Sequence, residues 1–493
     1  MSFQSLGFLV FLAVTAVVCR MIALFYHWQV RVHPWPPDPV KERFVFRNSQ
    51  MLAVLSLIFY LFGCSEASQL GILLAGLLVS WFAARRMQSG KGNRRRILIL
   101  AAGWHIAVLA FYKYAAYLTG GALTPPATPL GLSFFTFQQL WLLAEVYRGN
   151  FTLGREERTG FLLYGLFFPT VTSGPILKPQ GFFSQLRERI ILASSSDFAA
   201  GLYLICVGMA KKVLLAEGFG VIVNNGYAYP ERLNTVSGAM VVLGYTLQLY
   251  FDFSGYCDVA TGCARLLGFR LPVNFNSPYR SLSVGEFWKR WHMTLTSFLR
   301  ECLYFPLGGS RKGRLRAYGN ILLVFLVSGL WHGTGWTFLL WGLLHGLAQV
   351  AERLLGHRLE RLPAWLRWGL TFAFVNLAWI YFRAPSVEVG NQILGALFSL
   401  DFAKPMPWLS EGLFTCEQEV IRILLPAIAS WRNMLTTAAL YVVGVIVALW
   451  PRNAVAEAEH FRPSFRRGAA MWVLGVWSVL SFSGIAQFIY ANF

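Results

Sequence analysis

Long apolar runs recur along the whole chain and limit what it can fold into more than any other feature does. Two examples are ILILAAGWHIAVLAFYKYAAYL at 97–118 and MLTTAALYVVGVIVALW at 434–450. A helix needs roughly 20 mostly apolar residues to cross the core of a bilayer, and backbone in lipid must satisfy its own hydrogen bonds. Only 13% of the 493 residues are charged, about half the share of an ordinary soluble domain. The sequence therefore predicts an all-α, polytopic transmembrane protein.

Positive charge is concentrated between the apolar runs. The formal net charge is +20, and membrane proteins collect Lys and Arg in their cytoplasmic loops. No compact basic domain stands apart from the apolar runs, so we expect a lipid environment and no nucleic-acid partner. Among the first apolar runs, positive charges are concentrated at 31–47 and 85–96, which places both loops in the cytoplasm and the N-terminus outside. We therefore predict a multi-pass protein of the cell inner (cytoplasmic) membrane.

An apolar segment at 161–177 departs from a simple series of spans. It is interrupted by Pro169, Gly174 and Pro175. Broken backbone is tolerated at membrane depth only where it is buried in protein or lines a cavity. The sequence leaves two alternatives open here, a re-entrant segment and a full span.

The segment 270–316 is strongly basic, with nine Lys or Arg against Glu286 and Glu301. The positive-inside rule places it on the cytoplasmic side. Within it, SLSVGEFWKRWHMTLTSFLREC at 281–302 has a helical rhythm, which predicts one amphipathic helix at the membrane interface. Its apolar side would hold Phe287, Trp288, Trp291, Leu295, Phe298, Leu299 and Cys302, and its polar side Lys289, Arg290, Thr296 and Arg300.

His332 lies deep in the apolar run LLVFLVSGLWHGTGWTFLLWGLLHG. An ionisable side chain inside a span indicates function by default, and histidine suits proton transfer because its pKa lies near neutrality. Ser328 and Trp336 are four residues before and after it, so they would share its face if the helix continued. The alternative is a core histidine that donates to a backbone carbonyl.

Other histidines carry weaker signals. His292 lies between tryptophans in WKRWHMTL, where an interfacial role is the simpler interpretation. His345 follows His332 by 13 residues, or roughly 20 Å along a straight helix, so the two cannot cooperate unless the helix breaks. We therefore expect structural roles for His345 and for His105, which is the only histidine of its apolar run.

Charged residues also interrupt the apolar run YFDFSGYCDVATGCARLLGF at 250–269. Asp252 and Asp258 would be costly there without partners. A structural ion pair with Arg265 or Lys212 is the expected arrangement.

Three stretches resemble the membrane-bound O-acyltransferases. They are PLGLSFFTFQQLWLLAEVYRG at 129–149, FFPTVTSGPILKPQGFFSQL at 167–186, and the region 251–346 that ends in SGLWHGTGWTFLLWGLLHG. The chain is similar to the bacterial branch that O-acetylates alginate and peptidoglycan and D-alanylates teichoic acid. Glu145 stands where that family usually has Asp, and TVTSGPILKP replaces a form with Ala before GPI.

The resemblance implies roles for individual residues. The histidine of the SGLWHG motif is the family's catalytic histidine, here His332, and the polar residue of the WKRWHMTL motif is its second characteristic position, here His292. An indole of Trp331 or Trp336 could stabilise the oxyanion. No metal site is expected. The candidate substrate-binding residues are Trp331, Trp336, Ser328, Asn276, Trp288, Arg311, Lys312 and Arg314.

The resemblance also implies a shape, namely a ring of tilted helices around a thin central floor with re-entrant segments. Three parts would follow: N-terminal transmembrane helices at 1–128, a catalytic core at 129–350, and C-terminal transmembrane helices at 351–493. A cytoplasmic opening would admit the acyl donor. The basic residues Arg311, Lys312 and Arg314 could attract the phosphates of coenzyme A or an acidic carrier protein.

The function implied is transfer of an acyl group, most simply acetyl, from a cytoplasmic thioester toward an extracytoplasmic polysaccharide. The donor would be acetyl-CoA or an acyl carrier thioester, and no cofactor would be bound. We expect two partners, a periplasmic or surface acetyltransferase and a polysaccharide synthesis or export complex. The alternatives are D-alanyl or peptidoglycan O-acyl transfer, and a proton-coupled transporter, for which an inverted repeat is missing.

Overall fold

A computed structural model describes residues 5–32, 38–90, 92–154, 157–188 and 193–482. None of these residues lies in a β-strand, so the all-α prediction is confirmed. Four helices of the described ranges are long and apolar enough to cross a membrane: Ala67–Gln88, Arg94–Leu118, Ser195–Ala228 and Pro426–Ala448.

The helices follow the apolar runs closely. Up to residue 266 they are α1 (Leu6–Val32), α2 (Asp38–Gly63), α3 (Ala67–Gln88), α4 (Arg94–Leu118), α5 (Leu132–Arg148), α6 (Arg158–Leu166), α7 (Phe168–Val171), α8 (Pro179–Glu188), α9 (Ser195–Met209), α10 (Glu217–Ala228) and α11 (Thr235–Leu266). Beyond it they are α12 (Val284–Arg290), α13 (Met293–Leu299), α14 (Arg314–His332), α15 (Trp336–Glu360), α16 (Ala364–Arg383), α17 (Val387–Leu397), α18 (Thr415–Leu424), α19 (Arg432–Ala448), α20 (Ala454–Glu459) and α21 (Phe465–Leu480).

The described chain divides into two compact units. The first contains Met1–Val207, Tyr256–Val273 and Ala454–Phe482, and the second contains Gly208–Gly255 and Asn274–Asn453. Every candidate site residue named from the sequence belongs to the second unit. The division into three parts at residues 128 and 350 stays a prediction.

In the first unit, two sequence features find a local explanation. His105 is buried, and its Nε2 lies 2.8 Å from Ser80 Oγ, which confirms a structural histidine. The segment 161–177 is broken as predicted, because α6 ends at Leu166 and α7 contains only four residues, with Pro169 in its first turn. Its route through the membrane stays open.

Two of the charged residues of 250–269, Asp252 and Arg265, form ion pairs, one of them with an unexpected partner. Lys212 Nζ donates to Asp252 Oδ1, and both side chains are buried in the second unit. Lys212 lies in a π-helical segment, Ala210–Ala216, between α9 and α10. The predicted ion pair is therefore confirmed for Asp252. Arg265 instead donates to Glu459, within the first unit.

The single amphipathic helix predicted at 281–302 is wrong in one respect. The chain forms two short helices, α12 and α13, separated by Trp291 and His292. His292 has φ 45° and ψ 52°, a left-handed conformation that a helix cannot contain. The division of faces still holds, because Phe287, Trp288 and Trp291 are buried whereas Lys289 is exposed.

Candidate active site

A helical break places His332 at the end of a helix. Helix α14 stops at His332, Gly333 is extended, and α15 begins after Gly335. A Cβ at Gly333 would overlap the Phe338 ring, so only glycine fits this turn.

The two helices on either side of the break pack as an antiparallel hairpin. A Cβ at Gly329 would overlap the carbonyl oxygen of Phe338, and one at Gly342 would overlap that of Phe325. Since only hydrogen separates the backbones at these points, the helices approach closely. We call α14 and α15 the glycine hairpin.

His332 is enclosed by aromatic rings at the closed end of the glycine hairpin. It is only 2% exposed. Its ring centroid lies 4.7 Å from that of Trp331, 5.2 Å from Trp341 and 5.0 Å from Phe382. Hydrogen bonds are electrostatically stronger in surroundings from which water is excluded. The aromatic rings therefore exclude water from the imidazole and strengthen any hydrogen bond that it makes.

The neighbours predicted for His332 are only partly found. Ser328 is buried one turn earlier on α14, so it shares the face of His332. Trp336 begins the next helix and is 71% exposed. The expectation that Trp336 lies on the face of His332 is wrong, because it required a continuous helix.

His292 is buried as well, and its hydrogen bonds define its tautomer. Its Nδ1 lies 3.2 Å from Asn274 Oδ1. The same oxygen accepts from the backbone N–H of Thr294 at 3.2 Å and from the Thr294 hydroxyl at 3.0 Å. Because this oxygen can only accept, Nδ1 of neutral His292 carries the hydrogen and Nε2 carries the lone pair. The histidine is therefore oriented by Asn274, with Nε2 as its basic atom.

Trp331 links the two histidines that the sequence singled out. Its ring centroid lies 4.7 Å from His332 and 6.3 Å from His292. Although His332 and His292 are 40 residues apart in sequence, both imidazoles contact the same indole. The structure thus brings three of the predicted site residues into one cluster.

His345 joins this aromatic cluster because the helix breaks. Trp341 lies 5.2 Å from His332 and 5.1 Å from His345, measured between ring centroids. His345 also accepts a hydrogen bond at Nδ1 from the Trp288 indole, at 3.2 Å. Its expected structural role therefore has a defined partner.

A cleft lies beside the glycine hairpin and includes Ser328, one turn before His332, in its lining. It has a volume of about 160 Å³, and its lining includes Ser328, Trp288 and Phe325 together with Arg300 and Arg353. A larger cavity of about 500 Å³ shares Gln349 and Arg353 with this cleft. We call the smaller space the Ser328 cleft. It is apolar around Ser328, and Arg300 and Arg353 add positive charge to its wall.

The remaining predicted residues lie apart from this cleft. Asn276 is exposed, and its Oδ1 accepts from Asn453 Nδ2 at 3.2 Å. Arg311, Lys312 and Arg314 are exposed and line neither cavity.

Several residues of the cluster were missed in the sequence. They are Asn274, Trp341, Phe382, Arg300 and Arg353. The motif that contains Asn276 also contains Asn274, and WIYFRAP at 379–385 contains Phe382, so two of them had a local signal. Arg300 was placed on the polar side of 281–302 without being chosen as a site residue, and Arg353 had no such signal.

The sequence of the chain matches one family model. Residues 159–389 match the model of MBOAT, the membrane-bound O-acyltransferase family. This chain belongs to that family and is an O-acyltransferase.

Its relatives specify the branch. The peptidoglycan O-acetyltransferase of Helicobacter pylori is 35% identical over 389 residues, which cover 71% of this chain and 73% of that protein. The probable alginate O-acetylase AlgI of Pseudomonas aeruginosa is 34% identical over 372 residues, covering 72% and 70%. The teichoic acid D-alanyltransferase of Bacillus subtilis is 28% identical over 258 residues, covering 50% and 65%.

Proposed function

We propose that this enzyme moves an acetyl group from a cytoplasmic thioester toward an extracytoplasmic polysaccharide, with His332 as the general base. One observation carries the proposal. His332 is buried in aromatic rings, one turn beyond Ser328, which lines the cleft. A thioester in the Ser328 cleft would place its carbonyl carbon near the imidazole.

The proposed reaction is a direct acyl transfer. His332 removes the proton of an acceptor hydroxyl while the hydroxyl oxygen attacks the thioester carbonyl carbon. The tetrahedral intermediate then collapses, the carbon–sulfur bond breaks, and the leaving thiolate takes the proton back from the imidazolium. General-base assistance of this kind contributes about 10²–10⁴-fold, and holding both reactants at one histidine contributes further through orientation.

Trp331 and His292 would support this step. Trp331 contacts both imidazoles, so its indole N–H is the better of the two predicted donors to the oxyanion, since Trp336 is exposed. His292 presents Nε2 as a basic atom, because Asn274 holds its other nitrogen. A second base at this place could pass the proton on.

The names of the relatives support the choice of acetyl as the acyl group. Relatives named as O-acetyltransferases or O-acetylases are 34–35% identical to this chain, whereas the D-alanyltransferase of B. subtilis is 28% identical. We therefore favour acetyl from acetyl-CoA or an acyl carrier thioester. A periplasmic or surface acetyltransferase would receive the group within a polysaccharide synthesis or export complex at the inner membrane.

The first test removes the base. His332→Ala should reduce the base-labile acetyl content of the cell's polysaccharide to a few per cent of the wild-type amount, because the proton acceptor is lost. Acetyl release and quantification, with the protein level in the membrane measured in parallel, would show this.

The matched control is His105→Ala, which removes another buried histidine that is bonded to Ser80. It should cost stability but leave acetylation per folded molecule near wild type. Substantial acetylation by a folded His332→Ala protein would contradict the proposed mechanism.

A further inference from the structure

We propose that Trp288, held in place by His345, limits the length of the acyl group that this enzyme accepts. The inference rests on the proposed function, because it assigns the Ser328 cleft to the acyl end of the thioester. Three observations support the inference: the hydrogen bond between Trp288 and His345, the aromatic rings around Trp288, and the size of the cleft.

The hydrogen bond between the two side chains has a fixed direction. An indole N–H can only donate, so His345 accepts at Nδ1, over 3.2 Å. The hydrogen of neutral His345 is then on Nε2. His345 is fully buried, and this bond sets the rotation of the Trp288 ring.

Aromatic rings close the other directions in which Trp288 could move. Its ring centroid lies 5.3 Å from Phe325, 5.7 Å from Trp341 and 5.2 Å from His345. His345 is confined in turn, with the ring of Phe374 at 5.2 Å. A side chain fixed by both a hydrogen bond and close packing does not yield easily to a ligand.

The helix that carries Trp288 is anchored at its N-terminus. Ser283 Oγ accepts from the backbone N–H of Glu286 at 2.9 Å. The Glu352 carboxylate accepts from the N–H of Val284 and, at 2.8 Å, from that of Gly285. Glu352 belongs to α15, so α12 is fixed to the same helix that carries His345. Both partners of the Trp288–His345 bond thus move together.

Trp288 forms a wall of a small space. The Ser328 cleft has a volume of about 160 Å³, whereas pockets for drug-sized ligands have about 300–1,000 Å³. The cleft walls include Leu295, Ile321 and Val324. A two-carbon acyl group fits such a space, and each further methylene must displace a side chain. Trp288 is the largest residue of this wall, and its removal would lengthen the space toward His345.

The experiment compares acyl chain lengths on the full-length protein in lipid nanodiscs. Acetyl-, butyryl- and hexanoyl-coenzyme A serve as donors, and the readout is the hexanoyl-to-acetyl ratio of kcat/KM. The wild type should favour acetyl over hexanoyl by at least about 100-fold, since one methylene in a tight pocket changes selectivity about 10–200-fold. Trp288→Ala should raise the hexanoyl-to-acetyl ratio at least about tenfold.

Variants of His345 distinguish the effect of the orientation of the Trp288 ring from the effect of its size. His345→Leu removes the acceptor and should raise the same ratio by a smaller factor. His345→Asn should keep the wild-type ratio, because its Oδ1 can accept from the indole in place of Nδ1. In a Trp288→Ala background, His345→Leu should change the ratio no further. A purely structural role of His345 would lower the rates with all three donors alike.

The control is Trp368→Phe, which removes another indole hydrogen bond, donated to the Tyr279 carbonyl at 2.9 Å. Trp368 does not line the Ser328 cleft, so the ratio should not change. Equal use of acetyl and hexanoyl donors by the wild type would overturn the inference without any variant. An unchanged ratio in folded Trp288→Ala would overturn it too. A wild type that transfers from none of the donors would contradict the proposed function instead.

Discussion

The closed end of the glycine hairpin, around His332, and the basic turn at 308–316, which runs into the first turn of α14, differ in almost every physical respect. In the glycine hairpin, His332 is buried among three aromatic rings and the backbones meet at glycines. In the basic turn, Arg311, Lys312 and Arg314 are exposed. Both segments were singled out in the sequence as functional.

The difference shows what each kind of signal can locate. A histidine in an apolar run is expected to pack against other protein groups, so its burial identifies a site with defined neighbours. A cluster of exposed positive charges satisfies the positive-inside rule without any ligand. The arginines that line the Ser328 cleft, Arg300 and Arg353, lie outside the cluster at 311–316. Clustering in sequence was therefore a poor guide to charge at the site.

The largest effect that distinguishes the two regions should come from the backbone contact of the glycine hairpin. Gly329→Ala places a Cβ against the carbonyl oxygen of Phe338. Backbone cannot rotate away as a side chain can, so we expect destabilisation of about 1–3 kcal/mol and loss of most acetyl transfer. Thermal melting in detergent and polysaccharide acetyl content would measure both.

Gly319→Ala on the same helix is the control. A Cβ there meets nothing within 4 Å, so this variant should retain activity and melt no lower than wild type. Equal melting temperatures and activities for Gly329→Ala and Gly319→Ala would show that close approach at the hairpin is not required.

A smaller effect is expected at Asn274, which the sequence analysis did not name, although it named the nearby Asn276 as a candidate site residue. Asn274→Ala removes an oxygen that accepts from His292 and twice from Thr294. Leaving these donors unpaired costs about 1–3 kcal/mol each, and the imidazole loses its orientation. We expect kcat for acetyl transfer to fall about 10–100-fold, as measured by steady-state kinetics.

Asn276→Ala is the paired control, two residues away and exposed. It should lower kcat less than about twofold, as expected of surface substitutions. A larger fall in kcat for Asn276→Ala than for Asn274→Ala would indicate that Asn276 is the functional residue of this motif.

The smallest effect should separate the arginines of the Ser328 cleft from those of the basic turn. Arg300→Gln together with Arg353→Gln should raise the apparent KM for acetyl-coenzyme A about tenfold, since one charge-assisted contact with a phosphate has about that value. Arg311, Lys312 and Arg314 changed together to Gln should raise it less and mainly flatten its dependence on salt, because exposed charges act over a distance that salt screens.

Titration of initial rates against donor at two ionic strengths distinguishes these outcomes. If the triple variant raises the KM for acetyl-coenzyme A more than the double variant of Arg300 and Arg353 does, the basic turn is the donor site. The maximal rate should change little in either case, because His332 is untouched.

The sequence was sufficient for the fold class, because its signal is local. The choice of His332 and His292 stays a prediction, which a local signal supports for His332 and only the family resemblance supports for His292. Apolar length predicts helices, and an ionisable group within an apolar run is rare enough to be noticed. The faces of 281–302 were also predictable, since burial follows periodicity even when the helix is interrupted.

The breaks were harder to predict, because they depend on tertiary contacts. His292 adopts a left-handed conformation that the hydrogen bonds of Asn274 stabilise from 18 residues away. Helix α14 ends at His332 because Gly333 has to accommodate Phe338 of the next helix. Residues that meet across such breaks, such as Trp341 and Phe382, share no sequence spacing with His332 that periodicity could reveal.

The buried pair of Lys212 and Asp252 also has a consequence for the synthesis of the protein and its insertion into the membrane. The two residues are 40 positions apart, and the helix that carries Lys212 belongs to a 34-residue apolar stretch, Ser195–Ala228. A ribosome that adds about 5–20 residues per second makes Asp252 some 2–8 seconds after Lys212. During this interval the Asp252 carboxylate is absent, and a charge at the middle of a span opposes release into lipid by about 2.5–3.5 kcal/mol. We therefore expect the insertion machinery to retain this helix until α11 emerges, so that the two segments enter the bilayer as one neutralised unit.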